Sequence, residues 1–148
     1  MISKRTKYAL HALIYLAQKH DKGIVLIDEI AKSQKMPKKF LETILLDLKN
    51  HGFLLSKRGK GGGYRLARDP KQIMMGSIIR IVEGPLAPVS CVSQTAYQKC
   101  HECRDEASCG IRMIMKEVRE AIAKILDNTS LEDTITRSKS KEALEYFI

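Results

Sequence analysis

A chain of 148 residues is long enough for one domain whose core needs no disulfide or metal staples. Hydrophobic residues make up 44% and charged residues 29%, a globular balance that excludes wholesale disorder, and no apolar run reaches the length of a membrane span. The net charge of +9 is uneven: residues 1–68 hold fifteen Lys/Arg against five Asp/Glu, residues 69–148 eleven against twelve. Such asymmetry points first to nucleic acid and second to an anionic membrane surface.

Residues 3–19 read as a mostly buried helix, with Tyr8, Leu10, Leu13, Ile14, Tyr15 and Leu16 in one short span. This stretch ends in Gln18-Lys19-His20 without a small-residue cleavage site, so it reads as a folded helix of a cytoplasmic protein rather than an export signal. Asp21-Lys22-Gly23 is a turn, and Ile24-Val25-Leu26 is extended. Asp28 caps or opens a short second helix with Ile30 and Ala31 inward. Pro37 is expected at the first position of a third helix, where its missing N–H costs nothing. There Phe40, Ile44 and Leu48 recur every four residues beside Leu41 and Leu45, opposite Lys38, Lys39, Glu42, Thr43 and Asp47. Gly52 ends it.

Strands over 53–57 and 63–67 flank the tip Arg58-Gly59-Lys60-Gly61-Gly62. After a break at Asp69-Pro70, a helix over 77–83 carries Ile78, Ile79, Ile81 and Val82 and stops at Gly84-Pro85. Residues 86–108 have no periodicity, and a loop that long is functional or disordered. Ile111, Met115, Val118, Ile122 and Ile125 then form a heptad seam, a surface suited to another helix. Thr129 or Ser130 caps a last short helix, and residues 137–148 are expected to be polar and loosely held. The fold expected is mainly α with a small β-hairpin wing. It divides into a DNA-binding unit (1–68), a connecting helix (69–85), a cysteine-rich sensor loop (86–109) and a dimerisation helix with its tail (110–148).

Three helices followed by a hairpin with a glycine-rich basic tip spell a winged helix-turn-helix. The third helix can lie in a major groove while its apolar face packs on the other two. Lys38, Lys39, Glu42 and Thr43 would then face base edges and phosphates, with Glu42 able to accept from a cytosine amino group. In the wing, glycines such as Gly61 allow close approach of backbone to duplex. Arg58 can enter a narrow minor groove, and Lys60 and Arg65 can contact phosphates. Each charge alone reads more readily as a solvated face, and the glycines alone as a hairpin turn; their combination in this order points to nucleic acid. GKGGGY is no phosphate-binding loop, because no Lys-Ser/Thr follows it and it opens no helix.

All four cysteines lie in Cys91-x8-Cys100-x2-Cys103-x5-Cys109. In an exported protein they would read as two disulfides; in a cytoplasmic one, a local cluster reads as a metal site or a redox switch. Thiolates ligate iron–sulfur clusters and zinc, and the CxxC at Cys100–Cys103 suits structural zinc as well. A reversible disulfide without metal is a further reading. A thiol oxidoreductase using Cys100-His101-Glu102-Cys103 is the enzymatic alternative, but no thioredoxin-like βαβ pattern surrounds it. His11 and His20 read as solvent or packing residues, and Met74, Met75, Met113 and Met115 as core.

The segments TKYALHALIYLA, MPKKFLETILLDLKNHGFLLSKRGKGGGYRLAR and IIRIVEGP, followed by the cysteines and a long helix, resemble the Rrf2 family of bacterial winged-helix regulators. Its members include an iron–sulfur-cluster biogenesis regulator, a nitric-oxide-sensing repressor and a cysteine-metabolism repressor. The resemblance runs from Lys4 to about Thr134. It implies homodimers joined by the long C-terminal helix and an imperfect palindromic operator on double-stranded DNA. It places Lys39 and Glu42 at base-reading positions and Arg58 at the minor groove. It also implies that Cys91, Cys103 and Cys109 are cluster ligands, while Cys100 is additional and lengthens the loop. Some members place a fourth-ligand histidine where this chain has Arg112; others use an acidic residue of the first helix, near Lys7 here. Neither residue can ligate iron. Cys100 is therefore the foremost candidate, with His101, Glu102, Asp105 and Glu106 behind it. The cluster type, [2Fe–2S] or [4Fe–4S], is left open. Other members regulate without a cluster, so control through zinc, thiol oxidation or a bound protein or metabolite stays open too.

Overall fold

Helix α1 (Lys4–Gln18) begins at Ser3, whose hydroxyl accepts from the Thr6 N–H at 3.2 Å, and buries Ala9, Ala12, Leu13, Leu16 and Ala17 along one stripe. This computed structural model describes residues 2–147. A short 3-10 turn and the bridge-forming Val25 lead to α2 (Ile27–Ser33), which carries Asp28 in its first turn and buries Ile30. Helix α3 (Lys38–Asn50) packs Leu41, Ile44, Leu45 and Leu48 onto α1 and α2. Its C-terminus is closed by Gly52 at φ +80°, with the Gly52 N–H bonded to the Lys49 carbonyl and the Phe53 N–H to the Leu48 carbonyl. A left-handed residue closed by these two bonds is the reason glycine ends this helix.

Strands β1 (Leu54–Lys57) and β2 (Gly63–Leu66) pair antiparallel with Leu54 opposite Leu66. Val25 adds a single bridge to Tyr64 through hydrogen bonds of 2.8 and 2.9 Å. Gly63 lies at that crossing: a Cβ there would stand 2.1 Å from the Val25 carbonyl oxygen, so only glycine lets the backbones meet. Helix α4 (Met75–Val82) buries Ile78 and Ile79 and leads through Gly84 into the cysteine segment. Helices α5 (Gly110–Leu126) and α6 (Leu131–Glu145) follow. Arg80 of α4 holds Asp127, just past α5, through two hydrogen bonds of 2.6 and 2.8 Å. Leu131 and Ile135 return α6 to the core formed by α1, α3 and the hairpin.

Several expectations change. Phe40 is 37% exposed and stacks edge-on against Tyr8 at 5.5 Å, because its position lies to the side of the buried stripe. Pro37 is the residue before α3, not its first residue. Helix α4 starts two residues earlier than expected, its backbone joined to the segment between α5 and α6 by a hydrogen bond from Met75 N–H to the Thr129 carbonyl. The last helix is not short. A capping box, in which Ser130 and Asp133 bond each other's backbone N–H groups, starts fifteen helical residues that take in most of the expected loose tail. Residues 136–147 are nonetheless exposed.

Candidate nucleic-acid interface and cysteine cavity

The exposed face of α3 and the hairpin tip enclose a groove of about 380 Å³. Of the residues expected to meet DNA, Lys38, Glu42 and Arg58 line it. Lys39, Thr43, Lys60, Gly61 and Arg65 lie outside the groove, all of them exposed. Thr43 is turned toward its own helix, its hydroxyl donating to the Phe40 carbonyl at 2.8 Å. Lys38 pairs with Asp28 of α2 at 2.8 Å, and that hydrogen bond, reinforced by the aspartate's charge, raises the lysine's pKa. Tyr64 forms part of the groove wall; burial, then the nearby Glu42 charge, raises its phenol pKa. Gly59 and Gly61 at the tip adopt φ of +86° and +74°. The groove also holds Leu46, Lys49 and Lys57, which the sequence reading did not single out. Their signal was there for the helical two, because Leu46 and Lys49 follow Glu42 by four and seven residues and so share its face.

The four cysteines are free, half-buried and line a single cavity of about 690 Å³. Cys91 sits on a 3-10 turn (Ser90–Val92) and Cys109 immediately precedes α5. Two arginines of α5 fix the Cys91 turn: Arg119 donates to the Val92 carbonyl at 2.7 Å and Arg112 to the Cys91 carbonyl at 3.4 Å. Cys100 and Cys103 lie on an exposed excursion closed by Tyr97, whose hydroxyl donates to Glu106 at 2.7 Å. The Cys103 thiol donates to the Asp105 carbonyl at 3.3 Å. Burial, then the neighbouring Cys109 thiol, push the Cys103 pKa up. Backbone N–H of Arg112, then the Cys103 thiol, lower that of Cys109, as expected for sulfur at a helix start.

Four soft sulfur donors on one cavity are the right chemistry for an iron–sulfur cluster or zinc. Among the described residues, however, no three Cys, His, Asp or Glu side chains converge as a preformed metal site. Glu102, Asp105 and Glu106 line the cavity, as does Arg112, whereas His101 does not. Lys7 is exposed on α1.

Helix α5 has no buried residue. Ile111, Ile114, Val118 and Ile125 are 38–71% exposed and share one face, while Met115 and Ile122 of the expected seam are half-buried. No helix among the described residues is long and apolar enough to cross a membrane.

Residues 2–137 match the model of the Rrf2 family, described as an iron-dependent transcriptional regulator. An rrf2-like HTH-type transcriptional regulator of Rhodobacter capsulatus is 41% identical over 138 residues, 91% of this chain and 92% of that protein. Among solved structures, CymR, the global cysteine regulator of Bacillus subtilis, superposes with a TM-score of 0.77 at 34% identity, covering 93% of this chain and 97% of that one. T. potens IscR superposes with a TM-score of 0.73 at 28% identity, covering 93% and 88%. These relatives are regulators of transcription and not enzymes, so the oxidoreductase reading of the CxxC falls. The helix-turn-helix with its two-stranded wing, the basic groove it encloses and the match over nearly the whole chain make this protein a member of the Rrf2 family of DNA-binding transcriptional regulators.

Proposed function

We propose that the protein is a homodimeric, cytoplasmic repressor that binds an imperfect palindrome and senses redox state, iron–sulfur status or nitric oxide through its cysteine cavity. The observation that carries this reading is that all four cysteines open onto one cavity against the start of α5. Cys91, Cys103 and Cys109 would hold an iron–sulfur cluster, with Cys100 as fourth ligand in place of the histidine or acidic residue that Arg112 and Lys7 cannot supply. Such a group would contribute iron–thiolate bonds open to oxidation and to nitric oxide.

The rest is the work of the chain. Lys38, Lys39, Glu42 and Thr43 present donors and acceptors to the major groove, and Arg58 enters the minor groove. Lys60 and Arg65 meet phosphates, and Gly61 lets the tip come close. The exposed apolar face of α5 packs on its copy in a second chain, fixing the distance between two recognition helices. Because Arg112 and Arg119 tie the Cys91 turn to α5, reordering of residues 86–108 moves the dimerisation helix relative to α3.

The test is protein purified without oxygen, with its visible spectrum and its iron, sulfide and zinc per chain, for wild type and Cys100→Ser. A coloured protein with near-stoichiometric iron and sulfide, lost in the variant, is expected. A colourless zinc protein would replace the cluster by a structural site. A metal-free protein would favour thiol switching, for which the adjacent Cys103 and Cys109 are the pair. Equal operator affinity with and without the bound group would reject sensing through this cavity.

A further inference from the structure

Helix α3 spends four of its large aliphatic residues, Leu41, Ile44, Leu45 and Leu48, on the core and leaves a fifth outside. Leu46 is 50% exposed and stands on the face that carries Lys39, Glu42 and Lys49, at the mouth of the groove closed by the wing. It is absent from the core cluster and from the apolar residues packed against that cluster, and shares the groove wall with Leu26, Ile27 and Tyr64. A half-exposed leucine among charges gains nothing from water, and gains from whatever apolar group this face meets. In a major groove the base edges offer one such group, the C5-methyl of thymine.

We propose that Leu46 reads thymine by contact with its C5-methyl group and is a specificity-determining residue of the recognition helix. The proposal rests on α3 being the element that enters the major groove. Glu42 lies one helical turn before Leu46 on the same face, so the thymine falls at a base step beside the one that faces Glu42. Lys49, one turn further, is left to meet the phosphate strand that separates the two grooves.

Deoxyuridine pairs as thymidine does and lacks only the methyl group, so the test removes a single carbon from the DNA. Duplexes bound by wild type are selected from a random-sequence pool. Each thymine of the winning duplex is then replaced in turn by deoxyuridine, and affinity is measured by fluorescence anisotropy. One replacement per half-site is expected to weaken wild-type binding about fourfold, the worth of one buried methyl-sized group. The same replacement is expected to leave Leu46→Ala binding unchanged, with circular dichroism confirming that the exposed substitution leaves the helices intact. If no replacement affects wild type, or if Leu46→Ala keeps the full sensitivity, Leu46 does not read thymine, while selection of a sequence still supports α3 as the reader. If wild type selects no sequence at all, the major-groove reading falls and this proposal with it.

Discussion

Residues 4–82 and residues 86–126 are built on opposite principles. The first region, joined by Leu131 and Ile135 of α6, closes on a core: α1, α2, α3 and the hairpin bury Leu13, Leu16, Leu45, Leu48, Phe53 and Leu66 almost completely. In the second, only Val92 and Ser93 are buried, and α5 carries its apolar face into solvent. What holds it is polar: Arg119 on the Val92 carbonyl, Arg112 on the Cys91 carbonyl and Arg80 on Asp127. Gly76 lies against that last pair: a Cβ there would stand 2.1 Å from an Asp127 oxygen, so a side chain would have to displace the carboxylate. A region that exposes its apolar side chains and anchors itself by directional bonds suits the proposed reading, in which a second chain on α5 and a group held by the cysteines would complete it.

The largest effect expected from this contrast is in the core. Leu45→Ala removes a fully buried side chain and is expected to cost about 2–5 kcal/mol in denaturant unfolding. Val118→Asp on α5 is expected to leave secondary structure intact and to halve the mass seen by sedimentation. Affinity for a two-half-site operator should then fall about a hundredfold or more, as one linked binding event becomes two. In that monomeric background Ile114→Ala should change stability by less than about 0.5 kcal/mol. A loss as large as that of Leu45→Ala would mean that the α5 face packs within its own chain, and the contrast would collapse.

The same contrast decides what was legible beforehand. Helical spacing found α1 and α3, because a 3.6-residue stripe of leucines and isoleucines has one physical solution beside a closed core. Glycine chemistry found the end of α3 and the wing. The same spacing misplaces Phe40, where a four-residue repeat drifts off the stripe. Composition misled again over residues 137–145, where polar residues concealed a helix launched by the Ser130–Asp133 capping box. The four cysteines were visible as a cluster, yet their common cavity was not. It depends on Arg112 and Arg119 reaching backward to a turn 21 and 27 residues earlier, and no local pattern encodes that.

Arg119 sharpens the comparison from the other side. Its side chain is only 12% exposed, so Arg119→Ala strands the Val92 carbonyl and should cost about 1–3 kcal/mol, confined to this region. In metal-free protein the Cys91 thiol should react faster with iodoacetamide while Cys109, set by the start of α5, keeps its rate. Equal acceleration at both cysteines would show that the arginine supports α5 as a whole rather than the Cys91 turn.

The smallest effect concerns the residue at which the two regions meet. Glu83, the last before Gly84 and the cysteine segment, accepts hydrogen bonds from the Thr6 hydroxyl and, at 2.9 Å, from the Ser3 N–H, and so binds the start of α1. The Thr6 hydroxyl first, then the Ser3 groups, hold its carboxyl down at about 2, against an ordinary 4.5. A carboxyl depressed in the folded state stabilises it fully above the ordinary value, and that contribution disappears as pH falls through the lowered one. Glu83→Gln should therefore melt below wild type at pH 7, with the gap closing between about pH 5 and pH 2. A gap that persists unchanged to pH 2 would mean that packing, and not the carboxylate, joins α4 to α1. A gap absent at pH 7 would mean that the junction is held elsewhere, leaving Arg80–Asp127 as the link between α4 and the end of α5.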